Sequence, residues 1–312
     1  MLKIGIDLGG TNIAVGIVNQ KGKILFKKTK PTHSEKGRKY ILKTIVNLCK
    51  NVCKESSIDI NDISSIGIAV PGGVDEKTGV ICFTPNIPFT GLNIINFLSK
   101  KFTGKRIKVI NDANAALVAE RKFGSIKKHK NVVMITLGTG IGGAVLLNNK
   151  IITGINGMAG ELGHMVIHKN GIKCSCGRKG CFEVYASASA LVKNTNKELK
   201  KYNKDISSSL INKININAKD IFDAYKNGDL LAKKMIYKYV KDLSNGITSL
   251  INIFQPEVFL IGGGISEQQE TLINLIRPHV DKSVYSHSVM IQTKLLTASC
   301  GNDAGIIGAA FA

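Results

Sequence analysis

Tryptophan is absent from the 312 residues, and aromatic side chains make up only 6% of them. Stacking platforms for single-stranded nucleic acid are therefore scarce. Proline is rare, at six residues, which excludes a Pro-rich linker protein, and the 32 glycines follow no collagen-like period. No run of about 18 apolar residues occurs, so no transmembrane helix and no membrane partner is expected. The opening Met1 to Ile6 meets Asp7 almost at once, without the long apolar run of a secretory signal. The chain is read as cytosolic on that basis. Acidic residues are also few: 22 Asp+Glu stand against 43 Lys+Arg, a net charge of +21 with His neutral.

The excess charge is spread along the chain, with modest clusters at 20–30, 100–108, 121–130 and 193–204. That distribution reads as a solvated surface, and no nucleic-acid partner is expected. A field that draws in anionic substrates is compatible with it. Hydrophobic residues reach 44%, enough to build real cores, and the length suggests about two domains. Seven cysteines are present, three of them between 174 and 181. In a reducing compartment such crowding points to a metal site before disulfides.

Residues 2–8 alternate with Leu2, Ile4, Ile6 and Leu8 on one face, a strand broken by Gly9-Gly10-Thr11. Ile13, Val15 and Ile17 form a returning strand, and a third follows from Ile24 to Thr29, giving an antiparallel meander. Ile41, Ile45, Leu48 and Val52 have helical spacing within 36–56. Apolar strands follow at 66–70, closed by Pro71-Gly72-Gly73, and at 107–110, closed by Asn111-Asp112 and an Ala-rich helix to about Lys122. The pattern then restarts: strand 132–137, Gly-rich turn 138–143, strand 144–147. Two similar α/β halves are implied. Residues 183–250 read as mainly helical, with a polar loop or insertion at 194–217. A strand at 258–261 runs into Gly262-Gly263-Gly264, and 305–311 form a small-residue helix.

Glycine turns let backbone amides approach an anion closely. Two of them, each after a buried strand and before a returning one, suit a polyphosphate held from both sides. No G-x-x-x-x-G-K-[ST] is present, which excludes a P-loop. Residues 138–143 satisfy G-x-G-x-x-G, but Ala144 to Leu147 reads as strand, where a dinucleotide site needs a helix N-terminus. His164, Cys174, Cys176 and Cys181 offer one nitrogen and three sulfurs, the closed tetrahedral set of structural zinc. Asp112, between a strand and a helix, fits a general base or a helix cap equally well. Glu161 and His164 lie three apart, on one face of a helical turn, and Glu183 follows the last cysteine of the cluster by two residues.

Asp7-Leu8-Gly9-Gly10-Thr11, Asn111-Asp112-Ala113-Asn114, Gly138 to Gly143, Gly160-Glu161-Leu162-Gly163-His164 and the cysteine cluster together resemble the ROK family of sugar kinases. The resemblance runs from Lys3 to Ala310 with the motifs in family order, and Asp7 to Gly16 and the cysteines look most like bacterial glucokinases. It implies an α/β, two-domain actin-like ATPase (ribonuclease H-like) fold with an interdomain cleft. The smaller domain would span 1–115 plus 298–312, and the larger, carrying the zinc loop, 116–297. The implied activity is that of an ATP-dependent hexokinase making glucose 6-phosphate, with domain closure excluding water.

Asp112 is then the general base. Gly72, Asn86, Asn111, Asp112, Glu161, His164 and Glu183 are the implied sugar contacts, His164 also binding zinc through its other nitrogen. Gly9, Gly10, Thr11 and Asn12 would lie near the phosphates, with Thr139 and Gly140 opposite, and Gly262, Gly263 and Gly264 beside the adenosine. Asp7 is the implied Mg²⁺ partner, through water. Asn12 departs from the family, many of whose members have Lys there. Alternatives within the resemblance are fructose, mannose, N-acetylmannosamine or N-acetylglucosamine as acceptor, and polyphosphate as donor. A sugar-responsive regulator is the remaining alternative, although a strand starting near Leu2 leaves no room for a helix-turn-helix. A homodimer is expected.

Overall fold

The computed structural model describes residues 1–201, 208–211 and 213–312. The meander forms as β1 (Leu2–Leu8), β2 (Asn12–Val18) and β3 (Ile24–Pro31), followed by α1 (Gly37–Glu55) and β4 (Ile63–Val70). A short hairpin, β5 (Gly73–Asp75) and β6 (Val80–Phe83), precedes α2 (Ile94–Lys101), β7 (Arg106–Asn111) and α3 (Asp112–Lys122). The second half opens with β8 (Val132–Leu137), β9 (Ile141–Leu147) and the two-residue β10 (Lys150–Ile151). Helices α4 (Glu183–Ala186), α5 (Ala188–Leu199), α6 (Ala218–Lys226) and α7 (Leu230–Phe254) lead to β11 (Val258–Gly262), α8 (Gln269–Ser283), β12 (Lys294–Thr297) and α9 (Ala304–Ala310). Among the described residues no helix is long and apolar enough to cross a membrane.

Two compact units result. The first comprises 1–129, 149–160 and 299–312; the second comprises 130–148 and 161–298. The first has strand order β3-β2-β1-β4-β7, in which β1, β4 and β7 pair in parallel and β2 pairs antiparallel with both β1 and β3. The second repeats the scheme: β9 is antiparallel to β8, which is parallel to β11, itself parallel to β12. The repeat read from the glycine turns is thus a repeat of topology. Strands β4 and β11 read as nearly unbroken apolar runs because parallel strands are covered on both faces: the neighbours Ile68 and Ala69, and Leu260 and Ile261, point to opposite faces and are all fully buried.

The first unit runs to His129 and takes in 149–160. Packing explains this. Helix α9 lies against β1 and β4 so closely that a Cβ on Gly5 would come within 1.9 Å of the Ile306 carbonyl oxygen. It also meets α3, where a Cβ on Gly308 would stand 1.7 Å from the Ala115 oxygen. Helix α3 therefore stays with the first sheet. The fully buried Glu120 carboxylate, near the end of α3, fastens the returning chain by accepting the Ser299 N–H (2.7 Å) and the Cys300 N–H (2.5 Å). The polar stretch 194–217, expected as a loop, begins instead as the end of α5, capped by Ser187. Of that stretch, 202–207 and 212 lie outside the described residues.

Candidate functional site

In the first unit, the parallel register pairs Asp7 with Ala69 and Ala69 with Ile110. The C-terminal ends of β1, β4 and β7 therefore form one edge, carrying in order Asp7, Gly72 and the Asn111-Asp112 pair. Asp7 and Ile110, two residues before Asp112, lie two strand spacings apart, about 10 Å. This is the edge at which parallel α/β sheets bind ligands.

Asn111 is the N-cap of α3. Its side-chain oxygen accepts the Asn114 N–H (3.1 Å) and its amide donates to the Gly72 carbonyl (3.0 Å). Capping thus belongs to Asn111. Asp112 begins the helix itself, exposed, with Oδ1 accepting the Ala113 N–H at 2.8 Å. Because an amide has two donor hydrogens and two acceptor lone pairs, Asn111 keeps one of each after holding the turn. Gly72 has φ of +88°, and a Cβ there would lie 2.3 Å from the Phe83 carbonyl oxygen, so the hairpin leaves room for glycine alone.

Gly9 to Asn12 form the tight turn between β1 and β2, closed by the Gly9 N–H on the Asn12 carbonyl (2.9 Å). Gly10, Thr11 and Asn12 are exposed. The buried Thr32 braces the turn, its hydroxyl donating to the Gly9 carbonyl (2.7 Å) and its N–H to the Thr11 carbonyl (2.8 Å). Asn86 reaches this turn; a Cβ on Gly10 would be 3.6 Å from its own. Asp7 is seated against α9, where a Cβ on Gly305 would meet its carboxylate at 2.4 Å. Burial, with the Asp303 charge adding, pushes Asp7 up to about 6. Thr32, Gly305 and Asp303 were missed in the sequence, because none stands beside a motif.

In the second unit, Gly138-Thr139-Gly140 turns between β8 and β9, and the Gly138 carbonyl accepts the Ala188 N–H at the start of α5 (3.0 Å). Gly263 packs on the end of β8, where its Cβ would lie 2.5 Å from the Leu137 oxygen. Thr139, Gly140, Gly262, Gly263 and Gly264 are therefore gathered at one end of β8 and β11. Residues 144–147 are strand, which removes the dinucleotide reading of 138–143.

Glu161 caps a single 3₁₀ turn, 162–164, that sits on β9: a Cβ on Gly163 would stand 2.1 Å from the Ile141 oxygen. Protein crowded around its carboxyl raises Glu161 above the usual carboxylate range; His164 opposes that and Glu183 adds to it. Glu183 Oε1 lies 3.7 Å from His164 Nδ1 and accepts the Cys174 thiol at 3.0 Å. The three implied sugar contacts of this unit thus share one locality with the cysteine cluster.

His164, Cys174, Cys176 and Cys181 bring their ligand atoms within 4.8 Å of one another. Cys176 and Cys181 sulfurs are 3.6 Å apart, and Cys174 Sγ is 3.7 Å from His164 Nδ1. Tetrahedral zinc with Zn–S of about 2.3 Å asks for separations of about 3.5–3.8 Å; the donor set is compatible with that ion, and these two separations fall in the range. Burial pushes Cys174 up to about 12 and raises Cys181, while the Arg178 N–H lowers Cys176. A bound dication supplies the charge that stabilises such buried thiolates. The loop is braced from behind: His168 Nε2 pairs with Asp242 on α7 (2.8 Å), and the Tyr185 hydroxyl accepts the Ile172 N–H (2.6 Å).

Residues 3–312 match the ROK family as a whole. The chain belongs to the ROK family. It is 37% identical to a glucokinase of Thermotoga maritima, over 98% of this chain and 95% of the relative. A ROK family glucokinase from Streptomyces griseus, solved in complex with glucose and AMPPNP, superposes with a TM-score of 0.88 at 31% identity, covering 100% of this chain and 98% of that one. A xylose repressor of Bacillus spizizenii is 31% identical over 98% of this chain and 75% of the repressor. The ROK fold is the two-domain actin-like ATPase α/β fold expected from the motifs.

Proposed function

We propose that this ROK protein is an ATP-dependent glucokinase, forming glucose 6-phosphate and ADP. The observation that carries the reading is the division of labour at the start of α3. Asn111 caps the helix and holds Gly72, so the adjacent carboxylate of Asp112 is presented at the strand edge without being needed as the cap. Glucokinase relatives at 31–37% identity over nearly the whole chain support the same activity. The full-length structural likeness to a glucokinase that binds glucose and AMPPNP supports it too.

Phosphoryl transfer asks a protein mainly for positioning and charge neutralisation. Asp112 accepts the proton of the sugar hydroxyl as its oxygen bonds to the γ-phosphorus and the bond to the ADP oxygen breaks. The sugar contacts assigned are Asn111, Gly72 and Asn86 in the first unit and Glu161, His164 and Glu183 in the second. Amides of Gly9 to Asn12, and of Thr139 and Gly140, are assigned to phosphate, and Gly262 to Gly264 to the nucleoside. Asp7 holds the hydrated Mg²⁺ that arrives with ATP. Zinc at His164 and the three cysteines would be structural: it supplies a rigid anchor, and the chain uses it to fix the His164 ring and the approach to Glu183. Seven cysteines without a disulfide and the substrates themselves favour the cytoplasm, where the enzyme would act as a homodimer.

The xylose repressor relatives, of which this chain covers 75%, show that the family also serves regulation, whereas the glucokinase relatives are matched over 92–96% of their length. A coupled ADP-release assay with ATP across glucose, fructose, mannose and their N-acetylamino derivatives tests the reading. Glucose is expected to give the highest kcat/KM; no turnover with any sugar, or strong preference for another, would refute it. Replacing ATP by polyphosphate in the same assay tests the donor.

A further inference from the structure

The first unit contains a cavity of about 450 Å³ remote from the Asp7–Asp112 edge. It is lined by the last turns of α1, the segment leading into β4, and the end of α2 with the loop leading into β7. These segments precede Ile63 and Arg106, where the parallel strands begin, whereas Gly72 and Asp112 follow the ends of the same strands. The six residues of β7 separate the two places by about 20 Å. The volume falls within the roughly 300–1,000 Å³ range of small-molecule sites.

Its lining has two parts. Cys53 and Phe102 are buried, Ile58 and Ile60 half-buried, and together they give an apolar floor. Lys50, Lys54, Lys101 and Lys105 supply four ammonium groups, and among the described residues lining the cavity there is no carboxylate. Two nearby acids are engaged elsewhere, Glu55 with Lys28 and Asp59 with the Asn61 N–H. Lys54 and Lys101 stand in the last turns of their helices, where carbonyl ends favour cations. That preference does not account for Lys50, one turn earlier on α1. Nor does it account for Lys105, in a loop, whose ammonium donates to the Asn61 carbonyl at 3.0 Å.

We propose that this cavity binds an amphipathic anion: a hydrocarbon body on the Cys53, Ile58, Ile60 and Phe102 floor, and a carboxylate or phosphate monoester head among the lysines. Four lysines lining one cavity repel one another, and an anionic head relieves that repulsion. An apolar body gains by displacing water from the floor. A sugar phosphate does not suit the site, because its hydroxyls would be desolvated against the apolar floor without partners.

The test is isothermal titration calorimetry of the full chain with octanoate and with octyl phosphate, each below its micellar concentration, against 1-octanol and inorganic phosphate. One site per chain is expected for at least one of the two amphiphiles, and the tighter one identifies the head as carboxylate or phosphate. Octanol and inorganic phosphate should each bind at least about tenfold more weakly. The double variant Lys50→Glu/Lys101→Glu should weaken binding by about tenfold or more, and Lys50→Ser by a few-fold in the same direction. Kinase turnover of both variants should match that of the parent, since these lysines lie away from the Asp112 edge. Absence of saturable binding by either amphiphile, or binding undiminished in both variants, overturns the proposal.

Discussion

Gly140 and Glu183 face each other so closely that a Cβ on Gly140 would lie 2.4 Å from Glu183 Oε2. The glycine turn that the family motifs assign to phosphate thus also sets the resting place of a carboxylate assigned to sugar. Gly140 is not among the positive-φ glycines, so alanine fits its backbone, and what must yield is the flexible end of Glu183. Gly140→Ala should therefore fold normally and raise the KM for glucose by about tenfold, with a smaller change in the KM for ATP. Steady-state kinetics in both substrates checks this; an unchanged glucose KM would remove Glu183 from the sugar site.

Asp112→Asn keeps the size of the side chain and its ability to accept the Ala113 N–H, while abolishing its basicity. Turnover should fall by about 10²–10⁴-fold, the usual weight of a positioned general base. Glucose binding, measured by calorimetry, should survive. Near-normal turnover would move the base elsewhere.

Metal analysis of the purified chain should find about one zinc per molecule. Cys181 is fully buried, and Cys181→Ser should lose the metal, lower the melting temperature and raise the glucose KM together, because His164 and Glu183 share the cluster's locality. A stable, fully active protein without zinc would end the assignment.

Asp7 supplies a pH test. It is an acid whose value rises from 3.8 to about 6 on folding, through burial and then the Asp303 charge. Folding thus favours its protonated form. The stabilisation is complete below 3.8 and is lost as pH rises through about 6, a swing of about 3 kcal/mol at most. Asp7→Asn lacks this loss. Thermal unfolding without Mg²⁺ or nucleotide should show the variant gaining on the parent between pH 4 and 7, while its kinase activity drops. A constant difference across that range would contradict the burial of the Asp7 charge.

Much of the site was legible because its signals are local. A glycine turn declares itself in four residues, and three cysteines with a histidine declare a tetrahedral set by spacing alone. The repeat of strand, turn and strand was enough to anticipate two similar sheets. Other features had no local signal. Thr32 closes the first glycine turn from the far end of β3, and nothing around it marks the role. The hairpin that restricts position 72 to glycine depends on Phe83, eleven residues on. Nor did the packing of α3 on α9 have one, since small residues on two distant helices cannot be paired by reading either one.

Alternation, glycine placement and ligand spacing are properties of neighbours in the chain. They determined the strands, both glycine turns and the crowding of the cysteines without reference to anything distant. Which side chain meets which partner depends on how segments pack, some of them more than a hundred residues apart. Asn111, and not Asp112, caps α3; Glu120 grips Ser299; lysines from two helices surround one cavity. Those choices were made only when the sheets and helices packed, because burial and hydrogen bonding act on proximity in space and not on order in the chain.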